Sequence, residues 1–108
     1  MRDIDTVVVH CSASPQNRGD DAATVHNWHK ERGFDGIGYH MVILEDGKMQ
    51  VGRPEYWAGA HAQYYNANSL GVCLIGEGGD ATPEQMESLK QLVTGWNHKY
   101  NGVHVVGH

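Results

Sequence analysis

The sequence predicts an α/β fold: one domain with a central mixed β-sheet flanked by helices. Three observations predict it. Short β-branched or apolar runs alternate with amphipathic stretches in the order strand, helix, hairpin, strand, helix, strand. The chain has 108 residues, enough for one domain over residues 1–108 and too few for two. Hydrophobic content is 40%, which suits a modest single core, and no internal repeat or low-complexity segment interrupts it.

Thr6 to His10 is a β-branched run ending in a histidine and reads as a buried strand. Ser12 to Asp21, rich in Ser, Asn, Gly and Asp, reads as a loop. A helix is expected over Ala22 to Arg32, started by Asp20 or Asp21 and stopped by Gly33, with Val25 and Trp28 docking it on the sheet. Tyr39 to Glu45 and Lys48 to Val51 flank Asp46-Gly47, a hairpin signal that favours a type I′ turn. Gly71 to Ile75 is a second buried strand. Thr82, Pro83 and Gln85 mark a helix start: a cap, a first-turn proline and the far end of a capping box. Met86, Leu89, Val93, Trp96 and Tyr100 then recur at helical steps as one apolar stripe, and the first four of that series are expected to be buried. Asn101-Gly102 ends this helix, and Val103 to Val106 begins a last strand.

The net charge of -5 argues against a duplex nucleic-acid binder, which needs a basic face to neutralise phosphates. Neither a signal peptide nor a membrane span is read at the N-terminus, so a cytoplasmic protein that is not membrane-bound is expected. Cys11 and Cys73 lie in apolar runs and read as buried free thiols; the lack of a secretion signal speaks against a disulfide.

Eight histidines in so short a chain suggest metal or acid–base chemistry. A histidine at a strand end is commonly structural, but His10 and His108 each end a short apolar strand. If those strands are neighbours, about 5 Å apart, two imidazoles could reach one zinc ion, a metal that takes neutral His nitrogens. Cys11 points to the face opposite His10. His104 shares a face with His108 but lies about 13 Å from it, too far to chelate the same ion. His26 and His29, an i, i+3 pair with no adjacent carboxylate or Cys motif, read as surface or packing residues. Tyr39 reads equally as a core aromatic or a site residue, with His40 facing the other way. Trp57 to His61, and Gln63 to Ser69 including Asn68, form a loop whose Trp, Tyr, Asn and His suit sugar or peptide binding, although the same composition makes an ordinary polar loop.

Five segments taken together are similar to the phage-lysozyme type of N-acetylmuramoyl-L-alanine amidase and the related peptidoglycan-recognition proteins. They are Val9-His10-Cys11-Ser12-Ala13, Trp28-His29-Lys30-Glu31, Gly38-Tyr39-His40, Gly59-Ala60-His61-Ala62 and Asn68-Ser69-Leu70-Gly71-Val72-Cys73-Leu74. Each is short; their order and spacing carry the resemblance over essentially the whole chain. It implies a Zn²⁺ cofactor held by His10 and His108, with Tyr39 as a catalytic hydrogen-bond donor to the developing oxyanion. It implies bacterial cell-wall peptidoglycan as the partner and substrate, contacted by His61, with Trp57 and Asn68 as further candidates. The reaction implied is zinc-assisted hydrolysis of the amide between N-acetylmuramic acid and L-alanine, by a monomer that stays cytoplasmic until released to the wall. The family's third ligand, a Cys or Asp, and a helpful Lys follow the second histidine by several residues. This sequence ends at His108, so the 108-residue chain is expected to bind zinc weakly and to turn over poorly. The competing readings are a non-catalytic peptidoglycan-binding module and a structural domain with incidental histidines.

Overall fold

The computed structural model describes residues 3–15, 18–62, 64–77 and 81–107. Its elements are β1 (Thr6–Cys11), α1 (Ala22–Glu31), β2 (Met41–Ile43), β3 (Met49–Val51), β4 (Ser69–Leu74), α2 (Pro83–Lys99) and β5 (His104–Gly107). They form one five-stranded sheet of order β3-β2-β4-β1-β5. The sheet is parallel throughout except at β3, which runs antiparallel to β2 on one edge. The expected mixed sheet and flanking helices are therefore present. β1 lies between β4 and β5, with His10 opposite Cys73 and Val9 opposite Gly107.

Two apolar clusters cover the sheet. Ile4, Val7, Ile43, Leu70, Val72 and Trp96 close one face beneath α2. Val25, Ile37, Val42, Cys73 and Ile75 close the other beneath α1, with Trp28 and Tyr39 packed against them. Alternation along a strand explains the split: Val7 and Leu70 pair on one face, while Val8, Gly71, His10 and Cys73 pair on the other.

Both helix starts follow local sequence. Asp21 caps α1 by accepting the Thr24 N–H at 3.0 Å, and its own N–H donates to the Thr24 hydroxyl. Asp20 instead pairs with Arg18 at 2.8 Å. Thr82 and Gln85 form a reciprocal box at α2, with Pro83 in the first turn. Gln85 does more than cap. It is fully buried, and its Nε2 donates to the carbonyls of Ile43 and Ile75 at the ends of neighbouring strand segments.

That buried amide explains a correction. Met86 is 52% exposed, against the expectation of burial, and Leu89 and Val93 are only partly buried; Trp96 is buried. The inward stripe runs through Gln85, Leu89, Leu92 and Trp96, one residue off the expected start, which leaves Met86 on the rim. The hairpin is a second correction. A type I′ turn needs positive φ at both central residues, yet only Gly47 has it (φ +90°). The Gly47 N–H donates to the Leu44 carbonyl and the Leu44 N–H to Lys48, so Glu45 and Asp46 make an ordinary turn and Gly47 follows it as a bulge. A side chain at Gly47 would also strike the Glu84 backbone at 2.8 Å, because the start of α2 packs on this turn.

Cys73 is buried and free, as expected; Cys11 is free but exposed, because it lies on the last turn-out of β1. Among the described residues, no helix is long and apolar enough to cross a membrane.

Candidate active site

His10, Tyr39 and His61 meet on the α1 face of the sheet. β1 delivers His10, which is 6% exposed. Its ring stands 5.1 Å from both the Tyr39 and the His61 rings, centroid to centroid. Tyr39, just before β2, and His61, in the loop between β3 and β4, are thus brought to His10 from positions 29 and 51 residues along the chain.

His61 has a prepared seat. Its ring lies across Gly71, where any Cβ would come within 2.5 Å of it, and against Gly59, where a Cβ would come within 2.4 Å. The backbone N–H groups of His61 and Ala62 both donate to Asn66 Oδ1, which ties the loop down. An isolated glycine inside a strand signals close approach by another group, so Gly71 was the legible sign of this seat.

Hydrogen bonds link His61 to both neighbours. Ser69 donates its hydroxyl to the Tyr65 carbonyl at 2.6 Å, and its oxygen lies 3.3 Å from His61 Nε2. His61 Nδ1 pairs with His10 Nε2 at 2.9 Å, the donor being set by the tautomer of the two rings.

Tyr39 remains a phenol near neutral pH. Burial is the main reason its pKa is pushed up to about 12, with Cys73 beside it adding to the shift. Burial likewise pushes the Cys73 thiol up to about 12, so it is held protonated and is a poor thiolate donor. A cleft of about 430 Å³ opens beside Tyr39 and His61, which help to line it together with His29, Arg32, Phe34 and Asn66. Arg32 and Phe34 were not singled out as site residues in the sequence. Their types are common at surfaces, and nothing in their spacing marks a cleft.

Two of the remaining candidates, Asn68 and Trp57, are committed elsewhere. His108 falls outside the described residues; β5, which leads to it, ends at Gly107 beside β1. The Asn68 amide donates to Asp5, the residue just before β1 and five before His10 in sequence. Trp57 is 55% exposed and lines a separate cavity of about 580 Å³ with Ala22, His26, Ile37 and Arg53. Its carbonyl accepts from His40, whose other nitrogen accepts the Gly71 N–H. His26 and His29 hold backbone rather than metal: their Nδ1 atoms accept the N–H groups of Ile37 and Gly38. Imidazole nitrogens suit zinc, but among the described residues no three His, Cys, Asp or Glu side chains gather as a metal shell requires.

Comparison with known proteins gives the family. Residues 1–108 match the family described as "Amidase_2: N-acetylmuramoyl-L-alanine amidase". The endolysin of Escherichia phage T7 is 40% identical over 111 residues, covering 96% of this chain and 74% of that protein. Among solved structures, the endolysin amidase LysCS from Clostridium intestinale URNW superimposes with a TM-score of 0.90 at 33% identity, over 99% of this chain and 70% of that one. Bumblebee PGRP-SA does so with a TM-score of 0.87 at 25% identity, over 99% of this chain and 71% of that one. The chain belongs to the N-acetylmuramoyl-L-alanine amidase family.

Proposed function

We propose that the chain is a peptidoglycan amidase that hydrolyses the bond between N-acetylmuramic acid and L-alanine with the help of zinc. The observation that carries this reading is the His10–Tyr39–His61 cluster, of which Tyr39 and His61 line an open cleft. Membership of the amidase family and the 40% identity to a phage endolysin support the wall as substrate.

His10 and His108 are the residues we assign to the metal. His10 Nε2 pairs with His61 Nδ1 at 2.9 Å, which ties the His10 ring to the cluster. The described residues supply one of these two ligands, and we assign no third ligand within the chain. When bound, zinc would polarise the scissile carbonyl and make a bound water acidic enough to attack near neutral pH.

The chain's own residues do the rest. Tyr39, protonated throughout the neutral range, donates its phenol hydrogen to the carbonyl oxygen as negative charge develops there. His61, seated over Gly71, holds the His10 ring through a 2.9 Å hydrogen bond and presents the adjoining loop to the substrate. Arg32 offers a cation at the cleft wall for a carboxylate of the stem peptide.

The test is release of L-alanine-terminated peptide from purified cell wall, measured beside the zinc content of the same protein. Release that depends on added zinc is expected, and Tyr39→Phe is expected to lose about 2.7–4 kcal/mol of transition-state stabilisation while keeping its zinc. Wall binding without release, with zinc present, would sink the hydrolase reading and leave a peptidoglycan-binding module.

A further inference from the structure

We infer that His29 is a positioning residue for Tyr39, acting through a single hydrogen bond to the backbone; this rests on the reading of Tyr39 as the oxyanion donor. His29 is 6% exposed, and its Nδ1 accepts the buried Gly38 N–H at 2.8 Å. Gly38 is the residue immediately before Tyr39, and the His29 ring packs against the Tyr39 ring at 5.3 Å between centroids. One side chain thus holds both the backbone that delivers the tyrosine and the ring itself.

The surroundings leave that segment little freedom. His26, one turn earlier on α1, accepts the neighbouring Ile37 N–H at 3.1 Å. Its ring fills the space over Gly36, where a Cβ would lie 2.6 Å away. On the other side Gly38 abuts the Ala60 carbonyl so closely that a Cβ would fall 2.1 Å from it. Residues 36–38 are therefore clamped between α1 and the loop carrying His61. The two partners of the proposed site, Tyr39 and His61, are spaced through this clamp, since Ala60 N–H also donates to the Gly38 carbonyl. An accepting Nδ1 requires a neutral ring with its proton on Nε2. Burial and the nearby Arg32 and Arg53 favour that neutral form.

The position of the accepting atom decides the matter, which makes a specific test available. Asn Oδ1 can take the place of His Nδ1, whereas Gln Oε1 lies farther out, near the position of Nε2. His29→Asn is expected to keep the Tyr39–His10 ring contact, read as cross-relaxation between their ring protons by NMR, and His29→Gln is expected to lose it. Neither measurement needs metal or turnover. In kinetics on purified wall, His29→Gln is expected to lower kcat by roughly ten- to a hundredfold, with a smaller change in KM, because misplacement of about 1 Å costs on the order of a hundredfold. The same change is expected to have no further effect in a Tyr39→Phe background. Equal ring contacts in the Asn and Gln variants would overturn the positioning role. So would a Gln penalty of undiminished size in the Tyr39→Phe background. Undiminished turnover in Tyr39→Phe alone would instead remove Tyr39 from the chemistry and leave the ring-contact result to judge His29 on its own.

Discussion

The α2 face of the sheet is closed by Ile4, Val7, Leu70, Val72 and Trp96, and the polar side chain buried there is the Gln85 amide that ties two strand ends to the helix. On the α1 face, His10, His29, His40 and Ser69 are buried among the valines and isoleucines. Three imidazoles on that side, those of His26, His29 and His40, accept backbone N–H groups through Nδ1. Apolar packing has no direction and does not change with pH. A bond to an imidazole nitrogen fixes one atom in place, and only while the ring is neutral. The first face supplies stability, and the second gives up some of its apolar area to place Tyr39 and His61 against His10.

The largest expected effect breaks the apolar side. Trp96→Ala is expected to cost about 3–5 kcal/mol in urea unfolding, with the loss equal at pH 8 and pH 5.5. A loss confined to acid pH would mean that the two faces are not separate in their chemistry.

Gly71→Ala strikes the polar side. The new methyl would overlap the His61 ring, so a loss of about 1–3 kcal/mol is expected together with disappearance of the His61–His10 ring contact. Retention of that contact at full stability would show that Gly71 does not set the seat of His61.

A gentler probe is pH. Burial first, and then the charges of Arg32, Arg53 and His26, hold the His29 pKa below its ordinary value of 6.5. Phe34 and Tyr39, the other rings against it, stay neutral through this range. On acidification the unfolded chain takes up the proton first, so the stability held above about pH 6.5 falls as pH drops below it. His29→Asn is expected to flatten that part of the stability curve, read from midpoints of unfolding between pH 8 and pH 5, and an unchanged slope would assign it to another group. The smallest effect belongs to Met86→Ser, expected within about 0.5 kcal/mol because the side chain sits on the rim of α2. A larger loss would restore Met86 to the core.

Local order was readable where it depends on neighbours in sequence. Thr82, Pro83 and Gln85 specify the start of α2 because a capping box spans only three residues. The β-branched run of β1 and the glycine after α1 were equally plain. Met86 was misread because helical spacing alone does not say that an amide at position 85 will turn inward, and that choice depends on two carbonyls 42 and 10 residues away. The hairpin was misjudged for a related reason: Asp-Gly is compatible with more than one turn, and the packing of α2 against Gly47 bears on which one forms.

The same division runs through the site. The sequence by itself determined the strand that carries His10, the helices on either side, and the resemblance that singled out Tyr39 and His61. Only the tertiary structure decided that His61 lies across Gly71, that Asn68 is committed to Asp5, that Trp57 lines another cavity, and that His29 holds the Gly38 backbone. Residue type and spacing set what a segment can become over one or two turns of chain. Contacts between residues 29 and 51 positions apart depend on strand register and on which glycines leave room, and those are properties of the assembled sheet.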